Sequence, residues 1–278
     1  MMNLRDTIAH QYRLRTSSWR RLPDFLILGT QKGGTTSLYQ YIIEHPAIIS
    51  ATRKEIRYFF NPKEYLDGQT SLGWYKSHFP FNWSPFQPQS FLTGEATPEY
   101  LYIPHTPERT AATIPQAKLI ILLRDPIKRA YSQYRHNVRR NVEKLSFSDA
   151  IAREEERIGP YRERVETDPT YLKIDYNRFG YQNRGVYWRQ LDRWQRCFPD
   201  EQFLILKSED FFANPEDSVN QVFAFLGLSP LSLKEYPVNN SGNAAPLPID
   251  AQTHQTLVDF FQPHNQKLVE RLGPKFQY

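Results

Sequence analysis

Residues 25–38, Phe25-Leu26-Ile27-Leu28-Gly29-Thr30-Gln31-Lys32-Gly33-Gly34-Thr35-Thr36-Ser37-Leu38, constrain this chain more than any other stretch. The continuous apolar run bounded by Gly29 predicts a fully buried strand. After Gly34 the apolar spacing turns helical, with Leu38, Tyr41, Ile42 and His45 along one side. Gly29 and Gly34 stand five apart with Thr35 and Thr36 following. That is nearly G-x-x-x-x-G-K-[ST], in which backbone N–H groups and a helix N-terminus hold an anionic phosphate. The departure is that Thr35 occupies the lysine position and the lysine is Lys32, three residues earlier. A cation in the crown of the loop faces a different bond from one placed after the second glycine.

A second strand–helix unit lies at Lys118-Leu119-Ile120-Ile121-Leu122-Leu123-Arg124-Asp125-Pro126. The strand ends at Leu123, Asp125 offers an N-cap and Pro126 suits the first helical position. Arg124 therefore sits at the carboxyl end of a strand, where open α/β sheets bind ligands. Ser132 follows eight residues later, two turns into the helix, so both can converge on one anion. Phe203-Leu204-Ile205-Leu206 predicts a third buried strand. Gly185–Phe198 predicts an amphipathic helix, and Asn214-Pro215 opens another that turns Val219, Val222, Phe223 and Leu226 inward and closes at Gly227. Ala51–Phe60 is expected as a short charged turn running into an aromatic, strand-like segment, residues 141–183 as a polar insert with 153–157 as a solvated helix face, and the C-terminus as a broken helix pair. These elements predict an α/β, P-loop-type three-layer fold, with a central parallel sheet flanked by helices. Residues 1–22 are expected to form a peripheral arm with Trp19 against the body, and residues 23–278 a single domain.

With 278 residues, 40% of them hydrophobic, the chain can bury a sizeable core. A net charge of +5 and a pI near 9.1 favour acidic ligands. Lysines and arginines are spread along the chain and no nucleic-acid-binding motif occurs, so nucleic acid is not an expected partner. Cys197 is the only cysteine, which rules out an intrachain disulfide. No apolar leader and no run of membrane-spanning length is present in the sequence, so a reducing compartment, most simply a bacterial cytoplasm, is expected. The histidines lack metal-ligand spacing, and no metal site is expected.

The loop Q-K-G-G-T-T resembles that of the P-loop sulfotransferases, which bind the 5′-phosphosulfate of 3′-phosphoadenylyl sulfate (PAPS). Further marks follow in the order of the heparan sulfate sulfotransferase branch and its bacterial relatives: K-E-I-R-Y-F-F, G-E-A-T-P-E-Y, L-L-R-D-P…R-A-Y-S, R-G-V-Y…W…F-P, S-E-D-F and F-L-G-L, over about residues 23–272. The resemblance implies a three-part site. Lys32 would touch the bridging oxygen of the donor, while Gly33, Gly34, Thr35 and Thr36 hold the 5′-phosphate and Thr35, Thr36 and Ser37 supply hydroxyls without a metal ion. Arg124 and Ser132 would grip the 3′-phosphate. Glu55 matches the branch's general base, and Glu95 a glutamate near the acceptor. Which of the two takes the proton stays open: the alternative for Glu55 is simple pairing with Lys54 or Arg57, and Glu95 could equally be structural. Two departures alter the acceptor side: Arg57 stands where relatives often carry histidine, and Ala96 where a lysine commonly follows the second glutamate. Tyr187 resembles a segment beside the nucleotide, and Asn239–Asn243 corresponds to a nucleotide-covering loop but lacks its basic residues and cysteines. The implied reaction moves a sulfuryl group from PAPS to a hydroxyl acceptor, with a carbohydrate favoured, and releases adenosine 3′,5′-bisphosphate (PAP). The competing functions are a P-loop kinase and a non-catalytic nucleotide- or glycan-binding protein.

Overall fold

The structure, a computed structural model, describes residues 4–60, 62, 71–83, 90–237 and 249–278. Four parallel strands form the central sheet: β1 (Phe25–Gly29), β2 (Gly94–Ala96), β3 (Lys118–Leu123) and β4 (Phe203–Lys207), in the order β2-β1-β3-β4. Strands β1 and β3 have the near-continuous apolar sequences of strands covered on both faces, and both are buried almost throughout. Alternate side chains then divide two cores. Leu26, Leu28, Leu119 and Ile121 pack with Leu191 and Trp194 of the helix Tyr187–Gln195 and with Leu268 of Ala251–Leu272. Phe25, Ile27, Ile120 and Leu122 pack with Leu38 and Ile42 of Thr35–Ile42 and with Val219, Val222 and Phe223 of Pro215–Leu226.

The strand order makes β1 the pivot. It pairs with β2 on one side and β3 on the other, and the chain crosses back over it from β2 to β3, the kind of reversal at whose strand carboxyl ends α/β folds place ligands.

Four elements differ from the sequence expectation. β2 is only three residues long, too short for a periodic signal, and is held by pairing with Phe25–Ile27. β4 is half-buried because it lies at the sheet edge. The C-terminus forms one helix, Ala251–Leu272, that contains Pro263. Lys54–Arg57 forms a turn, and Tyr58 and Phe59 enter the core without strand pairing.

Two surface expectations are also corrected. Trp19 is exposed. The arm is instead attached through Arg13, whose Nε donates to Ser77 O at 2.6 Å, and the buried Arg20, whose Nη1 donates to Phe79 O at 2.9 Å. Glu154 is buried, not solvated, and accepts the backbone N–H groups of Gln182 and Asn183 at 2.6 and 2.8 Å.

Candidate functional site

The loop after β1 is built by its main chain. Thr30 N–H donates to Leu122 O (2.8 Å) and Gly33 N–H to Thr30 O (2.9 Å), folding the crown back on the strand ends. Gly33 thus uses its own N–H inside the turn and serves the site by lacking a side chain: a Cβ there would lie 2.9 Å from Leu122 O. Gly34 caps the helix Thr35–Ile42 in the left-handed region (φ +100°), and a Cβ there would meet Phe212 Cζ at 2.8 Å. The first N–H groups of that helix have no intrahelical acceptor and form a cradle for an anion. Thr36 is half-buried at this end. Thr35 is buried. Ser37 is buried as well and hydrogen-bonds with Tyr41.

Lys32 occupies the crown with φ +70°, and burial, with Arg139 and Arg124 nearby, lowers its pKa. Arg124 Nη1 donates to the Lys32 carbonyl at 2.8 Å, so the two cations placed 92 residues apart in sequence meet at one site. Asp125 does not neutralise Arg124; its carboxylate caps the next helix, accepting Ile127 N–H and Lys128 N–H at 2.9 Å each. Ser132 is half-buried on the same helix, Pro126–Arg139.

His136 and Arg139 stand four and seven residues after Ser132, on the same helix face. The His136 pKa is lowered by burial and by Lys32, Arg140 and Arg139, while Glu55 pulls it upward. Both lie within electrostatic reach of Lys32, though sequence reasoning had singled out neither. The signal available was the i, i+4, i+7 spacing from Ser132.

Three further contacts fix this half. Ser208 Oγ donates to Gly33 O (2.7 Å), Asp125 N–H to Glu209 Oε1 (3.0 Å) and Tyr187 Oη to Arg124 O (2.8 Å). The S-E-D-F segment and the buried Tyr187 hold the loop and strand end in register.

The opposite wall hangs from Glu95, which is fully buried on β2. Its Oε2 accepts Ile56 N–H (3.1 Å) and Thr97 Oγ1–H (2.6 Å), and its Oε1 accepts the Tyr75 and Tyr100 hydroxyls (3.0 and 2.8 Å). Burial raises its pKa against these four donors. The carboxylate is engaged on both oxygens inside the core, so it shapes the Lys54–Arg57 turn instead of facing an acceptor. Ala96 N–H to Lys54 O (2.9 Å) and Arg57 N–H to Thr97 Oγ1 (3.2 Å) complete the suspension.

Glu55 projects from this turn, partly exposed. Lys54 Nζ donates to its Oε1 at 2.9 Å and Arg57 Nη2 to its Oε2 at 2.7 Å. Burial alone would raise the Glu55 pKa, but these two cations prevail and leave it lowered. Arg57 also lies 3.7 Å from Glu99, a buried carboxylate that sequence reasoning passed over.

The geometry accommodates the doubly phosphorylated donor that the resemblance implied. Gly33 and Gly34 let the loop pack closely on Leu122 O and Phe212, the helix N–H groups that follow have no intrahelical acceptor, and among the described residues no carboxylate pairs with Lys32 or Arg124. The Asn239–Asn243 loop lies outside the described residues. Among the described residues, no cluster of three or more potential metal ligands occurs and no helix is long and apolar enough to cross a membrane.

Comparison with known proteins identifies the family. Residues 22–240 match the model of the sulfotransferase domain family. The membrane-associated sulfotransferase kil1 of Dictyostelium discoideum is 28% identical over 92% of this chain and 66% of its own length. The bifunctional heparan sulfate N-deacetylase/N-sulfotransferase 3 of Homo sapiens is 33% identical over 76% of this chain, which spans only 23% of that protein. A sulfotransferase crystal structure from Alicyclobacillus acidocaldarius aligns with a TM-score of 0.71 at 28% identity, covering 91% of this chain and 96% of its own. On these matches the chain belongs to the sulfotransferase domain family and resembles its heparan sulfate branch.

Proposed function

We propose that this protein transfers a sulfuryl group from PAPS to a hydroxyl, favouring a carbohydrate acceptor, and releases PAP. The carrying observation is the Arg124 contact to the Lys32 carbonyl, which brings the strand-end cation to the loop-crown cation, with no carboxylate paired to either among the described residues. The donor supplies an activated sulfuryl group on a good leaving phosphate. Helix-end N–H groups orient the 5′-phosphate, and Arg124, with Ser132, takes the 3′-phosphate through charge-assisted hydrogen bonds. Lys32 faces the bridging oxygen and stabilises the charge that grows there as the S–O bond breaks. As the acceptor oxygen bonds to sulfur, Glu55 takes its proton, giving a sulfate ester, PAP and protonated Glu55.

The acceptor class rests on similarity to heparan sulfate sulfotransferases, including the mouse heparan sulfate glucosamine 3-O-sulfotransferase 5, which is 27% identical over 91% of this chain. Exposed Trp19 and Trp83 would suit a sugar chain. We also propose a bacterial cytoplasmic setting, on the single cysteine.

The test is Glu55→Gln, assayed with radiolabelled PAPS and a desulfated heparan-type oligosaccharide. Turnover should fall by ~10²–10⁴-fold while PAP affinity is unchanged. Retained turnover would remove Glu55 as the base. Stabilisation by ATP–Mg²⁺ in place of PAP would favour a kinase, and PAP binding without label transfer to any of a broad acceptor panel would favour a binding protein.

A further inference from the structure

Glu55 as found is a weak base, because both its oxygens are occupied by cations. The Lys54 contact comes from the adjacent residue and moves with the turn. The Arg57 contact differs. Arg57 holds φ +66°, uncommon for a residue with a Cβ, with its N–H fixed on Thr97 Oγ1, while its side chain is half-exposed. The same Nη2 that bonds Glu55 at 2.7 Å lies 3.7 Å from Glu99 Oε1. A movement of roughly 1 Å would bring it to hydrogen-bond distance from Glu99.

Glu99 is built to receive it. Its side chain is 8% exposed, and its Oε2 is buried without a hydrogen-bond partner. Arg57 moved onto Glu99 would give a buried carboxylate a charged hydrogen bond, whereas Glu55, 30% exposed, can exchange the lost contact for water. The groups facing Glu99 are Glu55 and Arg57 on the turn and Arg184 on the 3₁₀ turn Asn183–Gly185. Arg184 is itself buried, and its Nε and Nη1 have no partners. Glu55 is faced by Lys54, Arg57, Glu99 and, from the helix Pro126–Arg139, His136.

We propose that Glu99 is a positioning residue that draws Arg57 away from Glu55 and thereby restores Glu55 as a proton acceptor. With Arg57 on Glu99, Glu55 Oε2 is left free for the acceptor hydroxyl. With Arg57 on Glu55, the carboxylate is held ionised but occupied. This proposal rests on Glu55 acting as the base.

Carboxyl ¹³C titration of the intact protein, with the Glu55 signal assigned by its loss in Glu55→Gln, tests the pairing without any acceptor. Glu99→Gln should lower the Glu55 midpoint and Arg57→Gln should raise it. In the Arg57→Gln background, Glu99→Gln should shift Glu55 by less than half as much as in wild type. In turnover, Glu99→Gln should cost about tenfold in kcat with unchanged PAP affinity and move the acid limb of the rate profile to lower pH, a shift that loss of packing alone would not give. Should Glu99→Gln not fold, the Glu99 midpoint in Arg57→Gln decides, and it should rise. An unmoved Glu55 midpoint in Glu99→Gln, a shift of equal size with and without Arg57, or an unmoved Glu99 midpoint in Arg57→Gln overturns the proposal. If the midpoints couple as stated but Glu55→Gln keeps full activity, the base assignment fails and the Arg57 pairing stands. If Glu55→Gln loses activity but the midpoints do not couple, the base assignment stands and the Arg57 pairing fails.

Discussion

The two walls of the crevice are organised by opposite electrostatics. On the donor side, Lys32 and Arg124 are held by neutral hydrogen-bond partners: the Lys32 carbonyl for Arg124, and Ser208 for the loop beneath Lys32. Their charge is left for a ligand. On the acceptor side the charges already have partners: Lys54 and Arg57 on Glu55, Arg57 again near Glu99, and four neutral donors on Glu95. The difference teaches that, on the proposed function, the anion meets preformed cations with which no carboxylate among the described residues pairs, whereas the Glu55 wall is balanced before substrate arrives and would have to exchange partners to work.

The hardest blow to that contrast is Lys32→Ala. If the crown cation meets charge that develops only as the bond breaks, turnover should fall by ~10²–10³-fold with PAP affinity nearly kept. An equal loss in binding and turnover would make Lys32 a simple anion anchor.

Next comes Glu95→Ala, which leaves Ile56 N–H and the hydroxyls of Thr97, Tyr75 and Tyr100 without their shared acceptor. Stability should drop by about 3 kcal/mol in urea unfolding, since buried donors left unsatisfied are costly. A drop in turnover without loss of stability would move Glu95 from scaffold to chemistry.

Arg124→Ala should weaken PAP binding by ~1.5–3 kcal/mol in calorimetry, the value of a hydrogen bond to a charged group. Unchanged affinity would remove the 3′-phosphate assignment and with it half of the donor wall.

The smallest effect concerns pH. The His136 pKa is depressed in the fold by burial and the neighbouring Lys32, Arg140 and Arg139, so the folded state binds its proton less readily than the unfolded chain. Stability should therefore decline as pH falls below the unfolded value of about 6.5 and on through the lowered folded value. His136→Asn should flatten that part of the stability curve. A curve unchanged by the substitution would detach His136 from the donor wall.

The donor wall was legible in the sequence because its parts are local. Gly29–Thr36 and Leu123–Pro126 are each contiguous strand-to-helix turns, where apolar runs, glycines, a cap and a proline fix both conformation and direction. The acceptor wall was legible only as motifs. Glu55 was identifiable as a carboxylate between cations, but the sign of its shift depends on Nζ and Nη2 distances that no spacing encodes. Glu95 and Glu99 look alike in G-E-A-T-P-E-Y, yet one is saturated by donors from three segments and the other keeps a bare oxygen beside Arg57.

Alone, the sequence determined the strand–loop–helix at Lys32, the strand end at Arg124 and hence the α/β class, because hydrophobic period and turn chemistry act over a few residues. Only the tertiary structure decided that β1 lies between β2 and β3, that Arg124 reaches the Lys32 carbonyl, that Trp19 faces solvent while Glu154 does not, and which carboxylate is held by cations and which by neutral donors. Those outcomes depend on contacts between segments tens of residues apart, where burial and the nearest donor, rather than residue type, set the charge and role of a side chain.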